Sequence, residues 1–111
     1  MIIVSKWFLY IFTFAFADAM ALFPFIILRS RALNGNRELI MHERIHLRQQ
    51  AEMLVIFFYL WYLTEYLLRR LRGNGHMTAY LGISFEREAR AHARNPAYLA
   101  SRKFWAFLAW I

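Results

Sequence analysis

Hydrophobic and polar positions divide the chain into four stretches. The first, residues 1–28, is apolar and carries only Lys6 and Asp18 as charges. Within it, Leu22–Arg29 is rich in β-formers, and Pro24 suits an edge strand because its ring removes a ladder donor. Trp7–Leu28 is long enough to cross a bilayer, although Asp18 and Pro24 interrupt it. Three assignments are open. The stretch is a signal peptide, with Lys6 in the n-region, Trp7–Phe14 as h-region and Ala15-Phe16-Ala17 as cleavage site. Or it is a single membrane anchor. Or it is a buried strand pair, Met1–Ser5 with Leu22–Leu28. A strand at Leu22–Arg29, preceded by membrane contact, is the favoured assignment.

The second stretch opens at Asn34-Gly35-Asn36, a turn signal with Asn36 as a helix N-cap. From Arg37 to Arg72 the pattern predicts one long helix, straight or bent. Leu39, Ile40, Ile45, Leu47 and Met53 give it apolar positions to bury. Its second half, Met53–Leu68, is almost wholly apolar and aromatic. Glu65 interrupts that half, and Arg69, Arg70 and Arg72 close it with cations suited to a helix C-terminus. Gly73-Asn74-Gly75 stops it. Residues 76–83 read as a connector. Ser84 is expected to cap a third stretch, a helix over Phe85–Arg94. Asn95-Pro96 breaks that helix and starts the last, Pro96–Trp110, amphipathic and aromatic. The predicted fold is mainly α, with a short β-strand or hairpin before the long helix. An apolar segment 1–21 precedes a single domain over 22–111.

Composition sharpens this outline. Hydrophobic residues make up 60% of the chain and aromatics 19%, above an ordinary soluble domain. The net charge is +7, from 14 Lys and Arg against seven acids. A basic, strongly apolar and aromatic chain points to an anionic membrane surface as partner before nucleic acid. The arginines form no single block, and no nucleic-acid-binding signature is present. Without cysteine there is no disulfide, thiolate metal ligand or thiol nucleophile.

The candidate chemistry sits in His42-Glu43-Arg44-Ile45-His46. Residues four apart share one helix face, so His42 and His46 can offer two imidazole nitrogens to one metal ion. Glu43 stands one residue round, placed to take a proton from a zinc-activated water. A catalytic zinc site needs a third protein ligand. Glu52 occupies the position used by H-E-x-x-H-x-x-G-x-x-H enzymes, but Gln49 replaces the glycine that turns the chain back, so Glu52 points elsewhere. His76 and His92 are possible ligands. Glu86 and Glu88 are the best candidates, on a second helix far enough downstream to return antiparallel to the first. Gln49 and Gln50 follow His46 near the same face, as orienting groups or as solvated surface. Tyr80, His76, His92 and Tyr98 carry groups suited to stabilising an oxyanion.

Phe85-Glu86-Arg87-Glu88-Ala89-Arg90 resembles the second motif of gluzincin-type metallopeptidases. In several membrane-embedded families of that type the motif is E-x-x-A-D, and its Glu is the third zinc ligand. Laid on this chain, the ligand falls on Glu86 and the small residue on Ala89, which leaves Glu88 as runner-up. The Asp falls on Arg90, a departure, because that Asp usually supports a histidine ligand. HERIHLRQQ together with SFEREAR resembles short bacterial zincin-like proteins, over roughly Leu22 to the C-terminus. The resemblance implies a minimal zincin-like domain built on two metal-binding helices. It implies nothing about substrate.

The expected function is zinc-dependent hydrolysis by a small membrane-associated metallopeptidase. Zn2+ would be held by His42, His46 and Glu86, with Glu43 as general base and Gln50, Tyr80 and His92 as supporting or substrate-contacting groups. An edge strand before the metal helix would hold an extended peptide by strand addition. One alternative is a catalytically inactive zincin-like scaffold at a membrane; another is an integral membrane protein whose motif is accidental. Geometry opposes the last. His46 to Arg70 measures about 36 Å of straight helix. If that length crossed a bilayer, His42 and His46 would lie on the far side from Glu86.

Overall fold

Three short strands form one sheet: β1 (Ile2–Val4), β2 (Ala19–Leu22) and β3 (Phe25–Leu28), in the order β1-β3-β2. The computed structural model describes residues 2–13 and 18–111, without the side chains of residues 11–13. The expected cleavage site Ala15-Phe16-Ala17 lies outside the described residues. β3 runs parallel to β1, with Ile2 opposite Ile26, and antiparallel to β2, with Met20 opposite Ile27. The apolar run at Leu22–Arg29 is therefore a hairpin end and a central strand, not an edge strand. Pro24 falls in the turn between β2 and β3, where no ladder hydrogen bond needs its missing N–H. β2 runs across the division expected between 1–21 and 22–111, and β1 belongs to the same sheet. Helix α1 (Lys6–Thr13) connects β1 onward and packs against β3.

The long helix is α2 (Arg37–Leu71), capped by Asn36, whose side chain accepts the Leu39 N–H at 3.1 Å. Its first turns pack Leu39, Ile40 and Leu47 against Ala19, Ile26 and Leu28 of the sheet. α2 is bent, because Leu54 has a non-helical backbone with φ 54° and ψ 133°. Residues 37–53 and 55–71 form two arms. In a straight helix His46 and Phe58 would be separated by about 18 Å of rise. Their ring centroids lie 6.2 Å apart, so the second arm folds back over the face that carries His46. Gln50 and Tyr59 likewise meet side chain to side chain.

The bend replaces the straight helix assumed in weighing a span with two shorter arms. By length and composition α2 is long and apolar enough to cross a membrane. Its apolar arm, residues 55–71, measures about 25 Å on its own, short of a hydrocarbon core of about 30 Å. That arm has two faces. Phe58, Tyr59, Tyr62 and Tyr66 turn into the protein, while Ile56, Phe57, Leu60, Leu63, Leu67 and Leu68 are exposed.

The segment expected as a connector is helical: α3 (His76–Gly82) follows Gly75. Its His-Met-Thr-Ala-Tyr-Leu run contains no residue that forbids a helix. α4 (Ser84–His92) then crosses the first arm of α2. Ser84 is its first helical residue and not its cap. The Glu65 carboxylate accepts both the Ser84 N–H, at 2.8 Å, and the Ser84 hydroxyl. The expected helix over Pro96–Trp110 is interrupted. Only α5 (Tyr98–Ser101) is α-helical, and a 3-10 turn covers Ala106–Trp110. Between them Arg102 is drawn inward to an ion pair, and Trp105 takes a left-handed backbone with φ 59°. Met53, Phe58, Ile83, Phe85 and Phe107 make the principal apolar core beneath these elements. The molecule is thus mainly helical, with a small sheet ahead of the long helix.

Candidate metal centre

His42 and His46 stand one turn apart on the first arm of α2, their rings 4.8 Å apart at 74°. α4 brings Glu86 opposite them. Glu86 Oε1 lies 3.0 Å from His42 Nε2 and 3.1 Å from His46 Nε2. The three ligand atoms fall within 4.8 Å of one another. Two ligands of a tetrahedral zinc are about 3.3 Å apart when each is 2.0–2.1 Å from the metal. Both Glu86 distances match that spacing, and the widest pair of ligand atoms would have to draw together around an ion. The donor set of two imidazoles and one carboxylate fits zinc chemically as well. Protons and a cation compete for the same space, because the imidazole nitrogens must lose their protons to bind metal.

Electrostatics at the cluster follow from burial and contact. Burial alone would lower the His46 pKa, but the facing Glu86 carboxylate and its hydrogen bond raise it to about 9. Burial would raise Glu86, yet His46 and the hydrogen bonds from both histidines hold it well below the usual carboxylate range. For Glu43, burial dominates and pushes the carboxyl up; His46 and His42 oppose that, and Glu86 adds to it.

Beside the cluster is a cavity of ≈ 190 Å³, lined by Glu43, His46, Glu86 and the ring of tyrosines Tyr59, Tyr62 and Tyr80, with β2 along one side. At roughly 30 Å³ per water this holds a handful of waters or a small group. Glu43 is 6% exposed, and its Oε2 is buried with no hydrogen-bond partner among the described residues. An unpartnered buried carboxylate oxygen costs free energy unless something donates to it. Tyr62 donates to Glu86 Oε2 at 2.8 Å, and Tyr80 to Glu86 Oε1 at 3.2 Å.

The remaining candidates separate clearly. Gln50 does not reach the ligand atoms. Its amide donates to Ala21 O at 2.9 Å and accepts the Phe23 N–H at 2.7 Å, so it pairs with the end of β2 as a neighbouring strand would. Tyr59 donates to the same Ala21 carbonyl. Glu88 is not at the ligand position. Two residues along a helix correspond to about 200° of turn, so Glu86 and Glu88 point to different sides of α4. Glu88 faces Gln49, Tyr98 and Arg102. His92, expected as a supporting group, is elsewhere: it stacks on Tyr98 at 3.7 Å and meets Trp110 edge-on. His76 bonds Tyr66 on the surface, and Glu52 pairs with Arg102.

Sequence reasoning missed Tyr59, Tyr62 and Arg102. The tyrosines sit in an aromatic run whose hydroxyls carry no periodic signal. The one hint for Arg102 is a cation between aromatic residues of the last stretch. Compared with family models, with curated proteins and with solved structures, the chain finds no match.

Proposed function

We propose that this chain is a zinc-dependent hydrolase, a small metallopeptidase seated on a membrane surface. One observation carries the chemistry: His42, His46 and Glu86 converge beside a buried Glu43 whose Oε2 has no partner among the described residues. Zinc bound there would supply Lewis acidity, bringing the pKa of a water toward neutrality and polarising a carbonyl. Glu43 takes the proton from the attacking water and delivers it to the leaving amine. Its burial beside the two histidines places a carboxylate where a proton must be both accepted and returned. The hydroxyls of Tyr62 and Tyr80 reach the site at Glu86, and on turning from its carboxylate either could donate to the oxygen that gathers charge.

Peptide is the substrate class that the surroundings favour. β2 is an edge strand along the cavity, and an extended peptide adds to such an edge through main-chain hydrogen bonds. Gln50 and Tyr59 already take up Ala21 O, so a substrate would pair on the Ala19 side. Membrane seating rests on the exposed apolar face of residues 55–71, ending in Arg69, Arg70 and Arg72, on a chain of net charge +7.

The test measures zinc content and peptide hydrolysis together. Glu43→Gln should keep the fold and the zinc while turnover falls by about 10²–10⁴-fold. His46→Ala should lose metal and turnover together. A Glu43→Gln protein cleaving peptide at the parent rate refutes the role of Glu43. A parent that binds zinc and cleaves nothing leaves the inactive scaffold standing.

A further inference from the structure

Behind His46, on the side away from the cavity, lies a buried polar chain that the chemistry above does not use. His46 Nδ1 is 2.8 Å from Gln49 Oε1. The Gln49 amide nitrogen donates to Phe85 O at 3.2 Å and to Glu88 Oε1 at 2.9 Å. Glu88 also accepts the Tyr98 hydroxyl at 2.7 Å and two Arg102 donors, Nε at 2.5 Å and Nη2 at 3.1 Å. Arg102 Nη1 ends the chain on Glu52 at 2.6 Å. Gln49 is completely buried, as are the side chains of Glu88 and Arg102.

Donor and acceptor roles along this chain have one solution. Arg102 can only donate and ionised Glu88 can only accept, so the group facing Glu88 must be the Gln49 NH₂. Its second hydrogen goes to Phe85 O, another pure acceptor. Gln49 Oε1 is then turned to His46, and Nδ1 must carry the hydrogen. A neutral imidazole with its hydrogen on Nδ1 keeps its lone pair on Nε2, the nitrogen that faces His42 and Glu86. We propose that Gln49, oriented by Glu88 and Arg102, is the positioning residue that fixes His46 as an Nε2 metal donor. This rests on the zinc proposal above. It also supplies the support that Arg90 cannot give: the Arg90 guanidinium donates to Leu81 O on the surface.

Support of this kind is worth about 10–100-fold in metal affinity. Gln49→Leu keeps the volume and removes both acceptor and donors. The swapped pair Gln49→Glu with Glu88→Gln restores an acceptor for His46 and a donor to hold it, at unchanged net charge. Zinc affinity is measured by competition with a chelating indicator, and the zinc-loaded protein is examined for a slowly exchanging His46 Nδ1 proton by NMR. Gln49→Leu should bind zinc about 10–100-fold more weakly and lose that proton signal. The swapped pair should recover the signal and most of the affinity. A folded Gln49→Leu protein with parental affinity, or one that keeps the protected His46 proton, overturns the inference. If Gln49→Leu does not fold, the swapped pair decides: a folded swapped protein without the signal overturns it, and one with the signal upholds it. A parent that takes up no zinc fails at the earlier step and removes the metal proposal itself.

Discussion

Arg102→Met is the perturbation with the largest consequence readable from the structure. The Arg102 side chain is fully buried between Glu88, at 2.5 Å, and Glu52, at 2.6 Å. Methionine fills much of the same volume but leaves two acids without their cation. Glu88 would keep Tyr98 and Gln49, whereas Glu52 would keep nothing, since its Oε1 already lacks a partner among the described residues. Removing one side of a buried ion pair costs about 3–5 kcal/mol. Against a total stability of about 5–15 kcal/mol, that is about a fifth of the margin or more. Urea unfolding of chelator-treated protein isolates the effect from metal binding. With an m-value of about 1–3 kcal/mol/M the midpoint should fall by at least about 1 M. Adding Glu52→Gln and Glu88→Gln to Arg102→Met removes all three charges and should regain most of the loss. An Arg102→Met protein within about 1 kcal/mol of the parent would refute the description of this network as a buried, mutually dependent set. So would a triple variant weaker than the single one.

Three further outcomes are expected. Leu54→Gly should raise stability by about 1 kcal/mol by relieving a positive φ, despite glycine's greater freedom when unfolded; thermal unfolding checks it, and a loss would mean the arm is not bent at this residue. Burial would raise the Glu88 pKa, but Arg102, Gln49 and Tyr98 hold it below the ordinary value of 4.5. A lowered folded pKa gives stability that is complete above about pH 4.5 and lost as pH falls through the folded value, so acid titration of stability should show a dependence below pH 4.5 that Glu88→Gln reduces. Leu60→Gln with Leu63→Gln, on the exposed face of residues 55–71, should weaken sedimentation with anionic vesicles while zinc content and fold remain unchanged.

The legibility of this molecule in its sequence varied with the range of the interaction. His42, Glu43 and His46 announce themselves because helix periodicity alone puts them together. A downstream helix able to return antiparallel offered Glu86 and Glu88 together, the resemblance to a known second motif favoured Glu86, and α4 shows which side each faces. The mainly helical fold and the sheet ahead of the long helix followed from hydrophobic pattern and turn residues. The bend at Leu54 did not, since neither glycine nor proline marks it and leucine is a good helix former. Arg102 was hidden for another reason. Its partners lie 14 and 50 residues away, and an amphipathic pattern simply reads through it. Pro24 does constrain pairing, as its missing N–H requires, but it does so in the turn before a strand and not within one.

The folded-back arm of α2 gives the protein a party wall. Tyr59 and Tyr62 line the cavity, while Ile56, Phe57, Leu60 and Leu63, drawn from the same turns, are the outer surface. Only the width of one helix, about 10 Å, separates whatever occupies the cavity from whatever presses on the outside. Occupancy on the two sides is then a single thermodynamic problem. If contact on the outer face tilts the arm and thereby changes affinity inside by some factor, occupation of the cavity must change attachment outside by the same factor.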